Sequence, residues 1–381
     1  MAVIIARITA RWRSGNLTPS ERTRSNRKIP ARQWLAVLVP VLASLAALMV
    51  LTALPAWAAK SGQELLDLDG EVTLPPHTTS PRRPLQIQLH GVDSPFSGRS
   101  WANPRGEFHF RNLKPGSYSL AIHVPARGWI IQTVDVTKSF ADGKGKVRKK
   151  FSFDEQSLRA RTSEQAESLV SVRQLGISRQ ARGEYDRAIG RLQHNDADGA
   201  IRHLEKAIEL SPRFAEARNH LGTIYFSRKE YSKAEDCFRE ALQQDPQSFE
   251  ALVNLGGALL ALGRDREAME INRHAQNARP KDPLANAQLG LSYLALGEYV
   301  TAIEYFQATE QQDPAHFTYP QISLAQIYLR LADGERAVRQ LEEFLRIHPD
   351  SPKVEAVRAA IDRVRKAQDA QAEAQTSSAR P

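Results

Sequence analysis

The chain has 381 residues, 41% of them hydrophobic and 25% charged, which is ordinary globular usage and excludes a wholly disordered or collagen-like protein. Its single cysteine, Cys237, excludes an intramolecular disulfide framework and a cysteine-based zinc site. The net charge is +9, but residues 154–381 hold more acidic than basic side chains, so the charge distribution does not predict nucleic-acid binding.

The first 58 residues have the layout of an export signal. Eight Lys or Arg and one Glu precede an uncharged apolar run at 34–54, and Ala56-Trp57-Ala58 follows as a small-x-small cleavage motif. A signal peptide would be cut between Ala58 and Ala59, whereas an uncleaved signal anchor would use the apolar run to span the bilayer. Both interpretations stay open. Both predict an extracytoplasmic location, in a bacterial periplasm or envelope, and the anchor would add membrane association.

Residues 66–153 are predicted to form a small all-β sandwich. Apolar residues alternate with polar ones in several short runs, as in Leu85, Ile87 and Leu89, so that one face of each strand is buried. Turn residues separate the runs, and Pro115-Gly116 predicts a type II turn.

The hairpin at 106–120, GEFHFRNLKPGSYSL, carries a family resemblance. It resembles the signature hairpin of carboxypeptidase regulatory-like (transthyretin-like) domains, and Gly70-Glu71-Val72 resembles the opening strand of that family. The resemblance covers residues 66–153. Modules of this family are non-catalytic, and the resemblance implies the same here.

Residues 181–350 repeat with a period of 34 residues. Three sets of residues recur at that spacing: Ala200, Ala234, Ala268 and Ala302; Pro212, Pro246, Pro280 and Pro314; Leu221, Leu255 and Leu289. Small residues let paired helices approach closely, glycines such as Gly263 and Gly297 supply the turn within a pair, and prolines separate the pairs. The pattern resembles the tetratricopeptide repeat, which implies helix pairs stacked into an α-solenoid with a concave groove.

The predicted fold class is therefore multidomain, an all-β sandwich followed by an α-helical tetratricopeptide solenoid. The predicted division is a leader at 1–58, the sandwich at 66–153, a helical linker at 154–180, the repeats at 181–350, a capping helix at 351–367 and a disordered tail at 368–381.

The sequence contains no pattern that predicts catalysis. It has no phosphate loop, HExxH, GxSxG or paired-cysteine motif, so the chain is predicted to be no enzyme and to hold no cofactor or metal. Three histidines alternate out of phase with the apolar strand residues and are predicted to be solvated: His90, His109 and His123. Cys237 lies in a repeat helix and is predicted to be structural.

The register of the repeat family implies which residues line the groove. The nine positions on the first helix of each pair are Asn219, Thr223, Phe226, Val253, Leu260, Leu284, Leu291, Leu294 and Ile322. None is Lys or Arg, which argues against a clamp for the C-terminal carboxylate of a peptide. An apolar groove favours an apolar protein or peptide segment. The alternative is that these residues are packing surface or are partly covered by the capping helix.

The leading hypothesis is an exported, non-enzymatic scaffold that binds protein partners through this groove. A second hypothesis assigns the binding of an envelope polysaccharide to the sandwich, with Trp101 and Trp129 stacking on sugar rings. A third makes the chain a non-catalytic subunit of an envelope enzyme complex.

Overall fold

The computed structural model describes residues 65–75, 84–92, 94–125, 128–154, 162–163, 176–349, 351 and 353–378. Strands come first in the chain and helices follow. The strands are β1 (Leu66–Thr73), β2 (Gln86–Gly91), β3 (Ser97–Trp101), β4 (Glu107–Leu113), β5 (Gly116–Val124), β6 (Gly128–Val136), β7 (Lys146–Ser152) and β8 (Thr162–Ser163).

The strands form two sheets. In the three-stranded sheet, β1 lies between β4, with which it is antiparallel, and β7, with which it is parallel. The five-stranded sheet has the order β3-β2-β5-β6-β8 and is antiparallel throughout. One face of each sheet supplies a shared core, with Leu68 and Phe108 from the first sheet and Ile87 and Leu120 from the second fully buried. The all-β region predicted from residue alternation is confirmed.

Two details of this region differ from expectation. Gly116 begins β5 without a positive φ, so Pro115-Gly116 does not form the predicted type II turn; the left-handed residue of this hairpin is Asn112, at φ 57°. Thr162–Ser163 form a short strand inside the segment predicted to be a helical linker, 154–180, and they pair with Ile130 and Trp129 of β6. An edge strand leaves backbone groups that any extended segment within reach can pair with.

The helices form five antiparallel pairs and a final single helix. In chain order they are α1 (Arg179–Gln193), α2 (Ala197–Leu210), α3 (Ala215–Ser227), α4 (Tyr231–Gln244), α5 (Phe249–Leu262), α6 (Asp265–Ala278), α7 (Pro283–Leu296), α8 (Tyr299–Gln312), α9 (Pro320–Arg330), α10 (Gly334–Ile347) and α11 (Val354–Ser378). The odd-numbered helices α1 to α9 open the pairs, and the predicted solenoid is confirmed.

Each pair turns at one residue in the left-handed region. These residues are Asn195, Lys229, Gly263, Gly297 and Ala332, and their φ angles lie between 57° and 84°. The two predicted turn glycines are therefore found where the repeat requires them, and the other pairs place Asn, Lys or Ala in the same conformation.

The last helix caps the solenoid and is longer than predicted. Val357, Ile361 and Val364 of α11 are buried in the core that α9 and α10 share. The helix continues past residue 367 to Ser378, into the segment predicted to be a disordered tail at 368–381. Ala and Gln, which dominate this stretch, have high helix propensity.

In the described part of the chain, no helix has both the length and the apolar character needed to cross a bilayer. The apolar run at 34–54 and the predicted cleavage residues Ala58 and Ala59 lie outside the described residues.

Candidate partner-binding groove

The nine predicted groove residues all lie on the first helices of pairs two to five. Asn219, Thr223 and Phe226 lie on α3, Val253 and Leu260 on α5, Leu284, Leu291 and Leu294 on α7, and Ile322 on α9. Five of them are almost completely buried, with exposed fractions between 0% and 4%: Val253, Leu260, Leu291, Leu294 and Ile322. The other four are half-buried.

The structure brings the apolar members together. One core cluster contains Leu260, Leu291, Leu294 and Ile322, and Phe226 packs against it. Val253 belongs to a neighbouring cluster with the half-buried Leu284. The inner wall of the solenoid, which is the face that these residues form, is therefore buried in two apolar clusters of the folded chain rather than open to solvent.

Polar side chains border this wall at the second and third pairs. Asn254 Nδ2 donates to Asn219 Oδ1 at 3.0 Å, which links α5 to α3. Thr223 Oγ1 donates to the His220 carbonyl oxygen at 2.8 Å. Asn254 and His220 were not predicted. The 35-residue separation of the amide pair, one more than the repeat period, is the signal that could have identified Asn254.

Five polar atoms on the first helices of the pairs are buried without a hydrogen-bond partner among the described residues. They are Arg218 Nε on α3, Gln288 Oε1 on α7, and Gln321 Oε1, Ser323 Oγ and Gln326 Nε2 on α9. The four residues on α7 and α9 are at most 5% exposed. A buried polar group without a partner costs about 1–3 kcal/mol, so such groups are uncommon in a finished core. These atoms share α7 and α9 with the apolar groove residues Leu284, Leu291, Leu294 and Ile322.

The third pair contains a departure from the repeat pattern. Asn272 of α6 stands where the second and fourth pairs carry Phe238 and Phe306, and it packs against Gly256 of α5. Its Nδ2 donates to Ser292 Oγ of α7 at 2.9 Å and to the Gln288 carbonyl oxygen at 3.3 Å. The side chain therefore packs within its own pair, and its amide also joins the third pair to the fourth.

The sandwich contacts the solenoid through the outer face of its five-stranded sheet and through the end of β4 in the three-stranded sheet. Thr133 Oγ1 on β6 donates to Asp313 Oδ2 at 3.1 Å and accepts from the Phe317 backbone N–H at 3.3 Å. Asp135 on the same strand lies 4.0 Å from His348 Nδ1, at the end of α10. At the other end of the solenoid, Asn195 Nδ2 donates to the Asn112 carbonyl oxygen at 3.0 Å.

Histidines at this contact are kept neutral. Burial, with His220 and Arg99 nearby, lowers the pKa of His90 to about 4. Burial also lowers the pKa of His348, and the neighbouring Asp135 offsets only part of that effect. The prediction that His90 is solvated is wrong, because its ring is half-buried at this contact, with Ser97 Oγ 3.2 Å from its Nδ1. His123 is also half-buried, beside the Trp129 ring. His109 lies exposed on the opposite sheet beside Asp69, as predicted.

Other reactive groups lie away from the groove. Burial raises the pKa of the half-buried Cys237 thiol to about 11, so the thiol is protonated and unreactive near neutral pH. Burial, together with Glu343, raises the pKa of Glu310 on α8 to about 7. No cluster of three or more His, Cys, Asp or Glu suited to a metal ion occurs among the described residues.

Comparison with known proteins identifies the repeats. Tetratricopeptide repeat models match residues 185–249, 236–289 and 293–361, so this part of the chain consists of tetratricopeptide repeats. Domains of this kind serve as scaffolds that bind protein or peptide partners, and they are typically non-catalytic.

Individual relatives match part of the chain. A 52-residue stretch is 42% identical to Hsp70-Hsp90 organizing protein 1 of Glycine max, covering 14% of this chain and 9% of that protein. MamA from Desulfovibrio magneticus RS-1 is 20% identical, with a TM-score of 0.43 over 46% of this chain and 99% of its own. The first tetratricopeptide domain of Spaghetti (RPAP3), solved with an HSP90 peptide, is 21% identical, with a TM-score of 0.31 over 32% of this chain and 95% of its own.

Proposed function

We propose that this chain is an exported, non-enzymatic scaffold whose solenoid binds an apolar segment of a partner protein in the bacterial envelope. The observation that carries the proposal is the inner wall, where Leu291 and Leu294 share α7 with the unpartnered Gln288 Oε1, and Ile322 shares α9 with the unpartnered atoms of Ser323 and Gln326. An extended polypeptide offers the complement, since its apolar side chains alternate with backbone N–H and C=O groups.

The composition of the wall narrows the kind of partner. The nine groove residues include no Lys or Arg, so nothing among them would offset the charge of an acidic peptide. The export signal predicted at 1–58 supports the location, and its apolar run would supply membrane association if it stays uncleaved. We further infer that the sandwich is a carboxypeptidase regulatory-like module that contributes no catalysis, on the strength of the hairpin at 106–120.

The test is partner capture with a groove variant. Thr223→Lys changes a half-buried position on α3 and places a charge on the inner wall, whereas Gln307→Lys places the same charge on an exposed position of α8. Crosslinked partners recovered from envelope extracts with full-length protein would be quantified by mass spectrometry, after circular dichroism has shown both variants to be folded. We expect about a tenfold loss of specific partners with Thr223→Lys, equivalent to about 1.4 kcal/mol, and none with Gln307→Lys. Equal recovery with both would refute groove binding, and an enzyme among the partners would make the chain its non-catalytic subunit.

One observation favours the second candidate, polysaccharide binding by the sandwich. A row of side chains crosses four neighbouring strands on the outer face of the sheet, in the order Trp101, Gln86, His123 and Trp129. At about 4.8 Å between strands, this row is about 14 Å long. Trp101 is 57% exposed, and the His123 and Trp129 ring centroids are 5.0 Å apart. Indole rings stack on the apolar faces of sugars. Retention on soluble glycans that Trp101→Ala abolishes would support this candidate, and no retention would remove it.

A further inference from the structure

We propose that the β-sandwich is an intramolecular lid on the solenoid: it closes the concave face, and a partner polypeptide gains access only when the sandwich undocks. This inference rests on the proposed function, because it describes how the same groove is regulated. It is supported by where the sandwich contacts the solenoid, by the inner-helix groups that lie near the sandwich and by the polar chemistry of the contact.

The contacts of the sandwich span the solenoid. Asn112 is bound by Asn195, in the turn of the first helix pair. Thr133 is bound by Asp313 and Phe317, in the connection between the fourth and fifth pairs. In a curved solenoid, a compact domain that contacts the first and the last pairs together bridges the opening between them.

The inner helices lie between these contact points. The Tyr185 hydroxyl of α1 and His220 Nδ1 of α3 are hydrogen-bonded at 3.2 Å. Burial raises the pKa of the Tyr185 hydroxyl, and the nearby Arg99 of β3 offsets part of that rise. Further along, Leu291 and Leu294 of α7 are at most 2% exposed. Leu291 and Leu294 pack in the apolar cluster of the solenoid itself, so the inner-helix groups that report contact with the sandwich are Tyr185 and His220.

The contact face has the chemistry of a reversible interface. The Thr133 hydroxyl, the Asn195 amide and the Asp135–His348 pair at 4.0 Å supply polar contacts there, and the two domains share no apolar core cluster among the described residues. The buried core of the sandwich and the core of the solenoid remain separate clusters. Interfaces of this polar type between domains of one chain resemble transient protein–protein contacts, and relative motion is the normal expectation.

The test opens the lid and measures exposure of the wall. Thr133→Asp places a carboxylate against Asp313 and removes the hydroxyl donor, so we expect undocking. Hydroxyl-radical footprinting of the full chain would show a several-fold rise in oxidation of Tyr185 and His220, the side chains of the inner helices that lie near Arg99 and His90 of the sandwich. Phe238 and Phe306, which are fully buried between paired helices, would stay protected and so exclude unfolding. The matched control is Thr73→Asp, the same change at an exposed position of the opposite sheet. Equal oxidation in the two variants would overturn the inference.

A second variant holds the lid closed. Thr133→Cys combined with Phe317→Cys, in a Cys237→Ser background, joins β6 to the loop before α9 under oxidising conditions. We expect partner capture to fall in the oxidised form and to recover on reduction. Capture that is equal in the oxidised and reduced forms refutes the lid and leaves the scaffold function intact. If no form captures a partner, the scaffold function fails, while the footprinting result still decides whether the sandwich covers the wall.

Discussion

At the scale of single residues, backbone conformation in the turns sets the repeat. The five within-pair turns each need a left-handed residue, and glycine adopts this conformation without the steric cost that a Cβ imposes. Gly263 and Gly297 meet the requirement, at φ 81° and 84°. Ala332 adopts φ 59° in the fifth turn, where its side chain gains nothing from the conformation.

Ala332→Gly is therefore expected to stabilise the protein. Removing the Cβ relieves the steric cost of the left-handed conformation, which adds about 1 kcal/mol to the free energy of unfolding. The greater conformational entropy that glycine gives the unfolded chain offsets part of this gain. The control is Ala308→Gly, within α8, which should destabilise by about 1 kcal/mol because glycine is a poor helix former. Urea denaturation of both variants checks the opposite signs, and a loss of stability in both would contradict the argument.

At the scale of elements, close contact between the two helices of a pair holds each unit together. A Cβ added at Gly222 of α3 would lie 2.5 Å from the Phe238 ring of α4, so the glycine permits the approach. At Gly190 of α1, an added Cβ meets nothing within 4 Å. The two glycines look alike in the sequence, yet only one of them is required by packing.

Gly222→Ala and Gly190→Ala are expected to have opposite effects. The first forces the Phe238 ring to shift in a packed core, at a cost of about 1–3 kcal/mol. The second improves helix propensity at an uncrowded position and should stabilise by up to about 1 kcal/mol. Thermal unfolding followed by circular dichroism measures both. A stabilising Gly222→Ala would show that the helix pair accommodates the methyl group.

The elements themselves were largely predictable, because each carries its own periodicity. The 34-residue spacing identified the helix pairs, and Ser178, a residue type that favours helix N-caps, accepts a hydrogen bond from Ala181 N–H at the start of α1. Sequence analysis failed where the outcome depends on partners distant in the chain. The bond of Asn272 to Ser292 in the next pair could not be read from the repeat that contains Asn272.

At the scale of the whole molecule, the contact between sandwich and solenoid lay beyond the reach of sequence analysis. Thr133 and Asp313 are 180 residues apart, and the face that carries Thr133 has the polar alternation of an ordinary solvated sheet. The nine groove residues were placed on the inner helices by register, but their burial depends on how the folded chain covers that wall.

Acid should open the lid. Both His90 and His348 have a pKa below the ordinary value of 6.5 in the docked state, so the undocked state binds protons more readily. Docking is therefore at full strength above about pH 6.5 and weakens as the pH falls below that value, until the docked histidines themselves titrate, near 4 for His90. The polar and charged groups near His90 are Gln88, Ser97, Arg99 and His220. His348 faces the Asp135 carboxylate and the aromatic rings of Tyr319 and Phe344.

Footprinting of the inner wall between about pH 7.5 and about pH 5.5 measures this dependence. Oxidation of Tyr185, which lies near Arg99 of the sandwich, should rise as the pH falls. The variant His90→Gln, which removes one titrating group and keeps a hydrogen-bonding side chain, should flatten the rise. His109→Gln on the opposite sheet serves as the control, because His109 is exposed and does not belong to the contact face. A rise that is equally steep in His90→Gln, His348→Gln and His109→Gln would mean that acid acts elsewhere, on carboxylates rather than on the histidines that the sandwich covers.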